Sequence, residues 1–222
     1  MQEVRLILTL KAWLMPKQRG TADAERIVMT TDEKQERFRQ MRSMTQDERI
    51  ALEIQNINKI LLTVSSAERA EVMLALTRRK RAEVFWPVFF ENWSHCDDTW
   101  YLRDDVLGQL QRFEDEAPGV QFLSAEARAA YDVLADPVRV FRGCSRQRVM
   151  AVTWTTDREV AAGFAYGHRF IEVSAPVIAS GLMPKWAVYG VCIDRGESDV
   201  ILDPQYVYDL ELELASSLPD PA

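Results

Sequence analysis

The fold class of this chain is decided by three runs of sequence: VFRG at residues 140–143, TWTTDREVA at residues 153–161 and ESDVIL at residues 197–202. Each run joins a polar cluster to an apolar segment that is typical of a strand or of the start of a helix. The β-favouring residues around the first run end at Gly143, which predicts a strand. The hydroxyls and the acid of the second run predict a helix over residues 157–164, started by the threonines.

Helical patterns dominate the sequence before this stretch. Thr45 and Glu48 have the spacing of a capping box, and apolar residues then recur at every third or fourth position. The aromatic run at residues 84–93 predicts a buried helix with Pro87 near its first turn. Packing in the core is favoured there over an aromatic wall that receives a flat ligand. Further helices are predicted over residues 66–76, 100–113 and 124–136.

Strand patterns dominate the sequence after residue 138. The last of them alternates apolar and acidic residues over positions 207–214, which indicates a half-exposed strand. An order of helices first and strands second is typical of an α+β chain. The other predicted strands lie at residues 149–154, 169–174, 186–193 and 200–202.

Composition excludes several classes of protein. The chain has 222 residues, enough for one well-buried core, and its formal net charge of −7 argues against a broad nucleic-acid-binding surface. The basic run at residues 78–81 ends a predicted helix, where it complements the helix dipole. Cys96, Cys144 and Cys192 are widely spaced and only 2 histidines are present, so we expect no zinc site and a reduced, cytoplasmic setting. The apolar run at residues 4–10 is too short to cross a membrane.

In their order and spacing, the three runs resemble the arginine, Ser-Thr-Ser and acid-x-acid signature of mono-ADP-ribosyltransferases, which are glycosyltransferases that use NAD as a substrate. The resemblance covers roughly residues 135–214. It implies a mostly helical N-terminal region, residues 1–134, followed by a β-rich, two-sheet catalytic core, residues 135–222. The N-terminal helices are expected to pack on this core or to select its target. This helical first half of the chain resembles uncharacterised phage and prophage proteins.

The resemblance implies that Arg142 and Gly143 bind NAD. Arg142 occupies the position of the family's strand arginine, which contacts the dinucleotide and braces the site, and a guanidinium pairs well with phosphate oxygens. A surface salt bridge is the structural alternative for this residue. Gly143 permits a close backbone approach, and its counterpart in the family bonds the carboxamide of nicotinamide through the main chain.

The second run has Thr-Trp-Thr-Thr where the family has Ser-Thr-Ser. Either Thr153 or Thr155 supplies the hydroxyl that positions the catalytic acid, with Thr155 favoured, because threonine offers the same O–H as serine. Trp154 either stacks on a ring of the ligand or packs within its strand. The remaining candidates for contact with NAD are Thr156, Phe164 and Tyr166, the two aromatic residues as lining of the nicotinamide pocket.

The third run places Glu197 and Asp199 two positions apart, so that both acids project to one side of an extended chain. In the family the second acid grips the ribose and stabilises the cation, while the first orients or deprotonates the acceptor. Asp199 holds the second position but is one methylene shorter than the usual glutamate. Where positioning is the mechanism, a gap on the order of an ångström can cost about a hundredfold in rate. A shifted register would instead make Glu197 the ribose-gripping acid.

Three functions follow from the resemblance. The leading one is transfer of ADP-ribose from NAD to a protein side chain, with arginine favoured because an acidic first position complements a guanidinium. An NAD glycohydrolase toxin that uses water is the second, and a catalytically inactive module that binds a protein is the third. The expected partners are NAD and an unidentified protein acceptor, without a metal, nucleic acid or membrane. All three expect a guanidinium, a hydroxyl and an acid to meet at one hollow.

Overall fold

A six-stranded antiparallel sheet occupies the second half of the chain in this computed structural model. The structure describes Gln35 and residues 42–167, 173–194 and 197–214, without the side chains of Asp194, Glu197 and Ser198. The strands are Val138–Ser145 (β1), Thr153–Thr155 (β2), Pro176–Met183 (β3), Val188–Asp194 (β4), Glu197–Leu202 (β5) and Tyr208–Leu214 (β6). They lie in the order β4-β5-β2-β1-β3-β6.

Helices make up most of residues 42–137, the continuous described part of the chain before the sheet. Those described before β1 are Gln46–Leu61 (α1), Ser66–Thr77 (α2), Ala82–Asn92 (α3), Arg103–Glu116 (α4) and Ala125–Asp132 (α5). A further helix, Arg158–Ala165 (α6), lies between β2 and β3. The predicted α+β class is therefore confirmed. The chain divides into two compact units, Met1–Met44 and Thr45–Ala222, and all of these elements belong to the second. The boundary predicted near residue 134 marks the change from helices to strands within that unit.

Helix α1 begins at the predicted capping box. The hydroxyl of Thr45 accepts a hydrogen bond from the Glu48 main-chain N–H at 3.3 Å, and the Glu48 carboxylate accepts one from the Thr45 N–H at 2.7 Å. Two N–H groups that the first turn leaves without helical partners are thereby satisfied. The apolar stripe of α1 ends in the buried residues Ile57 and Leu61.

The aromatic helix α3 forms the centre of the helical half. Phe85, Trp86 and Phe89 are each 0% exposed, and the ring of Phe85 stacks on that of Phe113 in α4 at 4.1 Å between centroids. The prediction that this run packs in the core is confirmed. The placement of Pro87 near the first turn was wrong, because α3 begins earlier, at Ala82, and the proline lies inside the helix.

Strand β3 is the main element that the sequence did not predict. It begins with a proline and contains serine and glycine, so it lacks the alternation of a half-buried strand. It nevertheless pairs with β1 over eight positions and with β6 on its other side. The strand expected at residues 169–174 falls largely outside the described residues. The strand expected from residue 149 begins only at Thr153, after a 3-10 turn at Arg146–Arg148.

The sheet is nearly divided between β1 and β2. These strands pair at one position, Phe141 opposite Thr155, whereas β1 and β3 pair along their whole length. The described strands thus form one continuous sheet instead of the two sheets that we predicted, because a single pair joins the parts β4-β5-β2 and β1-β3-β6. This narrow junction leaves room for a cavity beside it.

The helical half is attached to the strands through polar contacts as well as apolar ones. Gln111 of α4 donates its amide Nε2 to Asp203, just after β5, at 2.9 Å. The carboxylate of Asp203 also accepts from Tyr189 of β4 at 3.4 Å. Among the helices in the described ranges, none combines the length and the apolar character needed to cross a bilayer.

Candidate functional site

A cavity of about 190 Å³ lies where β1 and β2 separate. One wall comes from β1, β2, α6 and the start of β5, and the opposite wall comes from the segment between α3 and α4. The predicted site residues that line it are Arg142, Gly143, Thr153, Trp154, Thr155, Phe164 and Asp199. The structure therefore brings residues of all three runs to one hollow.

Arg142 bridges the gap between the two separating strands. Its Nε donates to the main-chain carbonyl of Arg148 at 3.2 Å, and its Nη1 donates to the carbonyl of Thr153. The first bond reaches the 3-10 turn that follows β1, and the second reaches β2. Burial of the guanidinium lowers its pKa, and the neighbouring Cys144 and Asp199 oppose that shift. Since a guanidinium has five N–H donors and stays protonated in proteins, Arg142 braces the strands and still offers charge and donors to the cavity.

Thr155 and Asp199 lie directly opposite each other on β2 and β5. Side chains that face each other across an antiparallel pair have Cβ atoms about 4.5–5.5 Å apart, so the hydroxyl and the carboxylate are neighbours. Thr155 is 4% exposed, and its hydroxyl accepts from the Asp157 main-chain N–H at 3.1 Å. On the other side of β5, Asp199 is opposite Cys192 of β4. The carboxylate thus emerges from the middle of a three-stranded region, where its backbone is held on both sides.

Thr153 is joined to the helical half. Its hydroxyl accepts a hydrogen bond from the indole Nε1 of Trp93 at 2.9 Å. Trp93 follows α3 and is 4% exposed, yet it lines the cavity. The aromatic run therefore contributes one ring to the site while its other large rings fill the core.

Trp154 packs into the core between the two threonines. It is 1% exposed, and its indole N–H bonds to the carbonyl of Ala151 at 2.8 Å. The apolar cluster around it includes Val140, Val200 and Leu202. Of the two alternatives for this residue, packing within the strand is the one that the structure shows.

Gly143 lies against helix α6. A Cβ atom at this position would stand 1.6 Å from the carbonyl oxygen of Ala161 and 2.6 Å from the main-chain nitrogen of Ala165. The glycine is therefore needed for the close approach of α6 to β1. Gly143 also lines the cavity, and a main-chain bond to nicotinamide stays a prediction.

Helix α6 is capped by Asp157 and not by the threonines, which corrects the prediction. The Asp157 carboxylate accepts from the main-chain N–H groups of Glu159 at 2.7 Å and Val160 at 3.3 Å. The hydroxyl of Thr155 acts one step earlier, on the N–H of Asp157 itself. The second run thus links the cavity hydroxyl to the helix that covers β1.

Three of the predicted site residues, Thr156, Tyr166 and Glu197, are not among the described residues that line the cavity. Thr156 is half-buried on the turn between β2 and α6, and Tyr166 follows the end of α6 with 39% exposure. Glu197 starts β5, but its side chain lies outside the described part of the structure.

The wall from the helical half is the part of the site that the sequence did not predict. Asp98 has a left-handed backbone conformation, with φ of 41°, and its carboxylate pairs with Arg148 at 2.7 Å. Arg103 places its guanidinium 4.5 Å from the centre of the Trp100 ring. All four residues line the cavity. The only sequence signal is a cluster of acids and aromatic residues between two predicted helices.

The cavity combines cations and acids with apolar walls. Arg103, Arg142 and Arg148 supply positive charge for a phosphorylated ligand, and Asp97, Asp98 and Asp199 supply carboxylates. Burial raises the pKa of the Cys144 thiol, with Arg142 opposing, so this thiol is protonated at neutral pH and is a poor nucleophile. Within residues 42–167, 173–194 and 197–214, no group of three His, Cys, Asp or Glu residues is placed to share a metal ion.

Comparisons with protein-family models, with curated proteins and with solved structures each returned no match for this chain.

Proposed function

We propose that the protein is an NAD-dependent mono-ADP-ribosyltransferase that modifies a protein side chain. The observation that carries this proposal is that Arg142, Thr155 and Asp199 line one cavity. They come from β1, β2 and β5, which are neighbours in the order β5-β2-β1. The order of the strands, and not the local sequence, brings a guanidinium, a hydroxyl and a carboxylate to the same place.

The proposed reaction replaces one bond at the ribose of NAD with another. The bond between the nicotinamide nitrogen and C1′ breaks, and its electron pair leaves with nicotinamide, so that the ribose becomes oxocarbenium-like. Asp199 stabilises this positive charge, and the neighbouring Thr155 keeps the carboxylate in position. A nitrogen of the acceptor side chain then bonds to C1′ and gives up a proton. The resemblance implies that the Glu197 carboxylate accepts this proton.

The cations of the cavity suit the diphosphate of NAD. Arg142 is held by two main-chain carbonyls, and Arg148 is held by its ion pair with Asp98. Arg103 is oriented by the ring of Trp100. Because these side chains are already ordered, binding a diphosphate costs less conformational entropy than it would with flexible side chains.

We further propose that the α+β fold of this chain contains an ADP-ribosyltransferase-like core. Two features support it: the near division of the sheet at Phe141 and Thr155, and a cavity beside that division which residues of β1, β2 and β5 line. The departures are threonines in place of the two serines, Trp154 in place of the threonine between them, and aspartate in place of glutamate. Arginine is the favoured acceptor, since acids at both positions of the third run complement a guanidinium.

Labelled NAD tests the proposal directly. The intact protein is incubated with NAD labelled in its adenylate part and with a cell extract, and released nicotinamide and labelled protein are both measured. We expect both, and we expect Asp199→Asn to lower nicotinamide release at least about a hundredfold, the effect of losing a charge-stabilising group in an active site. Asp209→Asn removes an equal charge on the exposed strand β6, where asparagine tolerates the positive φ of 50°, and should change nothing.

Each outcome of this experiment has a consequence. Nicotinamide release without labelled protein would replace transfer by hydrolysis to water. Equal activity of the wild type and Asp199→Asn, together with loss of activity in Glu197→Ala, would make Glu197 the ribose-gripping acid. Asp199→Glu restores the family's longer acid, and it should raise turnover if reach limits the rate.

A protein-binding module without catalysis is the second candidate, and two observations favour it. The cavity of about 190 Å³ is smaller than the roughly 300–1,000 Å³ of common ligand pockets. Arg142 also has a complete structural role, as the brace between β1 and β2. Absence of both nicotinamide release and NAD binding, measured by calorimetry, would favour this candidate over the enzyme.

A further inference from the structure

Strand β6 forms an edge of the sheet. Among the described strands it has a neighbour on one side only, β3, and all seven of its residues are exposed. From Tyr208 to Glu213, no described strand pairs with the main-chain N–H and C=O groups on its outer side, so these groups can pair with an added strand. The opposite edge strand differs, because the side chains of β4 at Val188, Tyr189 and Val191 are buried beneath the helical half.

One face of β6 carries what we call the leucine stripe: Leu210, Leu212 and Leu214. Leu212 lies opposite Ala179 of β3 and Leu214 opposite Val177, so the stripe continues the apolar face whose core includes both of those residues. The three leucines are 42%, 43% and 54% exposed. An apolar sheet face thus runs outward to an edge that none of the described strands covers, an arrangement that natural proteins normally block unless it is used.

The other face of the same strand is acidic. Glu211 and Glu213 alternate with the leucines, and Glu213 pairs with Arg158 of α6 at 2.6 Å. A strand added at this edge would meet apolar side chains on one face and carboxylates on the other. Because cross-strand neighbours of opposite charge attract and those of like charge repel, the acids select for basic residues in the added strand.

A second copy of β6 does not satisfy this pattern. Leucines and acids alternate strictly from Leu210 to Leu214, so every antiparallel register that sets leucine against leucine also sets glutamate against glutamate. Registers shifted by one residue set leucine against glutamate. Self-association through β6 is therefore disfavoured in both cases, and the occupant must carry the opposite charge.

We propose that β6 binds, by strand addition, an extended segment of another protein in which basic residues alternate with apolar residues. The main-chain ladder supplies affinity and the leucine stripe selects the apolar positions. Glu211 selects a basic position, and Glu213 contributes less because Arg158 already pairs with its carboxylate. This docking edge rests on the geometry of β6 alone, and it stands whether or not the cavity is catalytic.

A fluorescein-labelled peptide with the alternating sequence VKVKVKV provides the probe. Binding to the full-length protein is measured by fluorescence anisotropy, with the block sequence KKKVVVV as a control of equal composition and charge. We expect the alternating peptide to bind at least about fivefold more tightly than the block peptide, because only the alternating peptide pairs every residue with its complement. Hydrogen exchange of the β6 amides should slow when the alternating peptide is added.

Two matched variants locate the binding. Leu212→Lys places a cation within the stripe, and we expect it to weaken binding of the alternating peptide at least about fivefold. Leu62→Lys makes the same change at a leucine that is 77% exposed at the end of α1, and it should leave binding unchanged. Glu211→Lys should weaken binding as well, by reversing one selecting charge.

Three results would overturn the proposal: equal binding of the block peptide, equal loss in Leu62→Lys and Leu212→Lys, or no anisotropy change with either peptide. A dimer in light scattering that Leu212→Lys converts to a monomer would show instead that a second copy occupies the edge.

Discussion

The indole N–H of Trp93 bonds to the hydroxyl of Thr153 at 2.9 Å and so ties the helical half to the central strands. The two residues belong to different halves of the chain, and both line the cavity. The main-chain carbonyl of Thr153 also accepts a hydrogen bond from the guanidinium of Arg142. One residue of β2 therefore fixes the position of both a cavity cation and the aromatic wall.

Replacing Trp93 with phenylalanine tests this link. Trp93→Phe keeps an aromatic ring but removes the donor, which leaves the Thr153 hydroxyl without its partner. We expect the free energy of unfolding to fall by about 1 kcal/mol, the usual net contribution of a hydrogen bond. NAD affinity, measured by calorimetry, should fall as well, because the cavity wall loses its fixed position.

Trp86→Phe is the matched control for that variant. Trp86 also donates its indole N–H, to the carbonyl of Ala117 at 2.9 Å, and it is 0% exposed, but it does not line the cavity. Its replacement should lower stability and leave NAD affinity per folded molecule unchanged. Equal losses of affinity in both tryptophan variants would mean that Trp93 acts only through stability.

The hydroxyl of Thr155 is expected to serve both folding and catalysis. Thr155→Val keeps the shape but removes the acceptor of the Asp157 N–H and the hydroxyl beside Asp199. Stability should fall by roughly 1 kcal/mol in urea denaturation, since the Asp157 N–H loses its acceptor within the protein. Nicotinamide release should fall about tenfold or more, as expected when the group that positions a catalytic acid is lost.

Thr155→Ser separates the hydroxyl from the methyl group. Serine restores the O–H at the same position, so nicotinamide release should return to near the wild-type rate. The proposed role of Thr155 would be wrong if the serine variant were as slow as the valine variant.

Local signals were sufficient for the elements that begin with a cap. The capping box at Thr45 and the hydroxyl–acid cluster before α6 each specify a helix start within a few residues, so both helices were predicted close to their observed bounds. Strand β3 was missed because its place in the sheet comes from pairing with β1 and β6 and not from a pattern of its own. The exposure of β6 was underestimated for a similar reason, since alternation does not reveal that a strand lies at an edge.

The candidate site was predicted in part. The residues of β1, β2 and β5 could be proposed because each run carries its own polar cluster. The opposite wall could not, because its contacts join distant positions: Trp93 and Thr153 are 60 residues apart, and Asp98 and Arg148 are 50 residues apart. No local periodicity encodes such pairs, and only the packing of the helices against the sheet creates them.

Arg148 should matter for ligand binding more than for stability. Its ion pair with Asp98 is partly exposed, and such pairs contribute about 0–1 kcal/mol. We expect Arg148→Met to change the free energy of unfolding by less than about 1 kcal/mol. Because the variant removes a cavity cation, NAD affinity should fall about tenfold, and its dependence on salt concentration should weaken.

Arg128→Met is the corresponding control. Arg128 pairs with Asp132 within α5 at 3.0 Å, and that pair is somewhat more exposed than the one at the cavity. This variant should show the same small change in stability with no change in NAD affinity. If both variants lost affinity equally, the effect would come from overall charge and not from the cavity.

Two glycines, one in β1 and one in the helix that covers it, should respond in opposite ways to alanine. A Cβ at Gly143 would stand 1.6 Å from the Ala161 carbonyl oxygen, a main-chain atom that only a shift of α6 can move. Gly143→Ala is therefore expected to destabilise the protein by about 3 kcal/mol or more. Gly163 lies in α6, and an added methyl group there would have nothing within 4 Å, so Gly163→Ala should stabilise the protein by up to about 1 kcal/mol. Urea denaturation of both variants checks the sign of each effect.

Ionisation of the Tyr189 phenol should lower the free energy of unfolding at alkaline pH. Burial raises the pKa of this phenol above its ordinary value of 10.0, and the Asp203 carboxylate adds to the shift. The folded protein then holds the proton more tightly than the unfolded chain, so the contribution is complete below pH about 10 and is lost as pH rises toward the folded pKa. Tyr189→Phe should therefore flatten the fall in the free energy of unfolding by up to about 1.4 kcal/mol per pH unit above pH about 10. Tyr208→Phe, at an exposed position on β6, should keep the wild-type slope, and identical slopes in all three proteins would show that Tyr189 titrates as freely when folded as when unfolded.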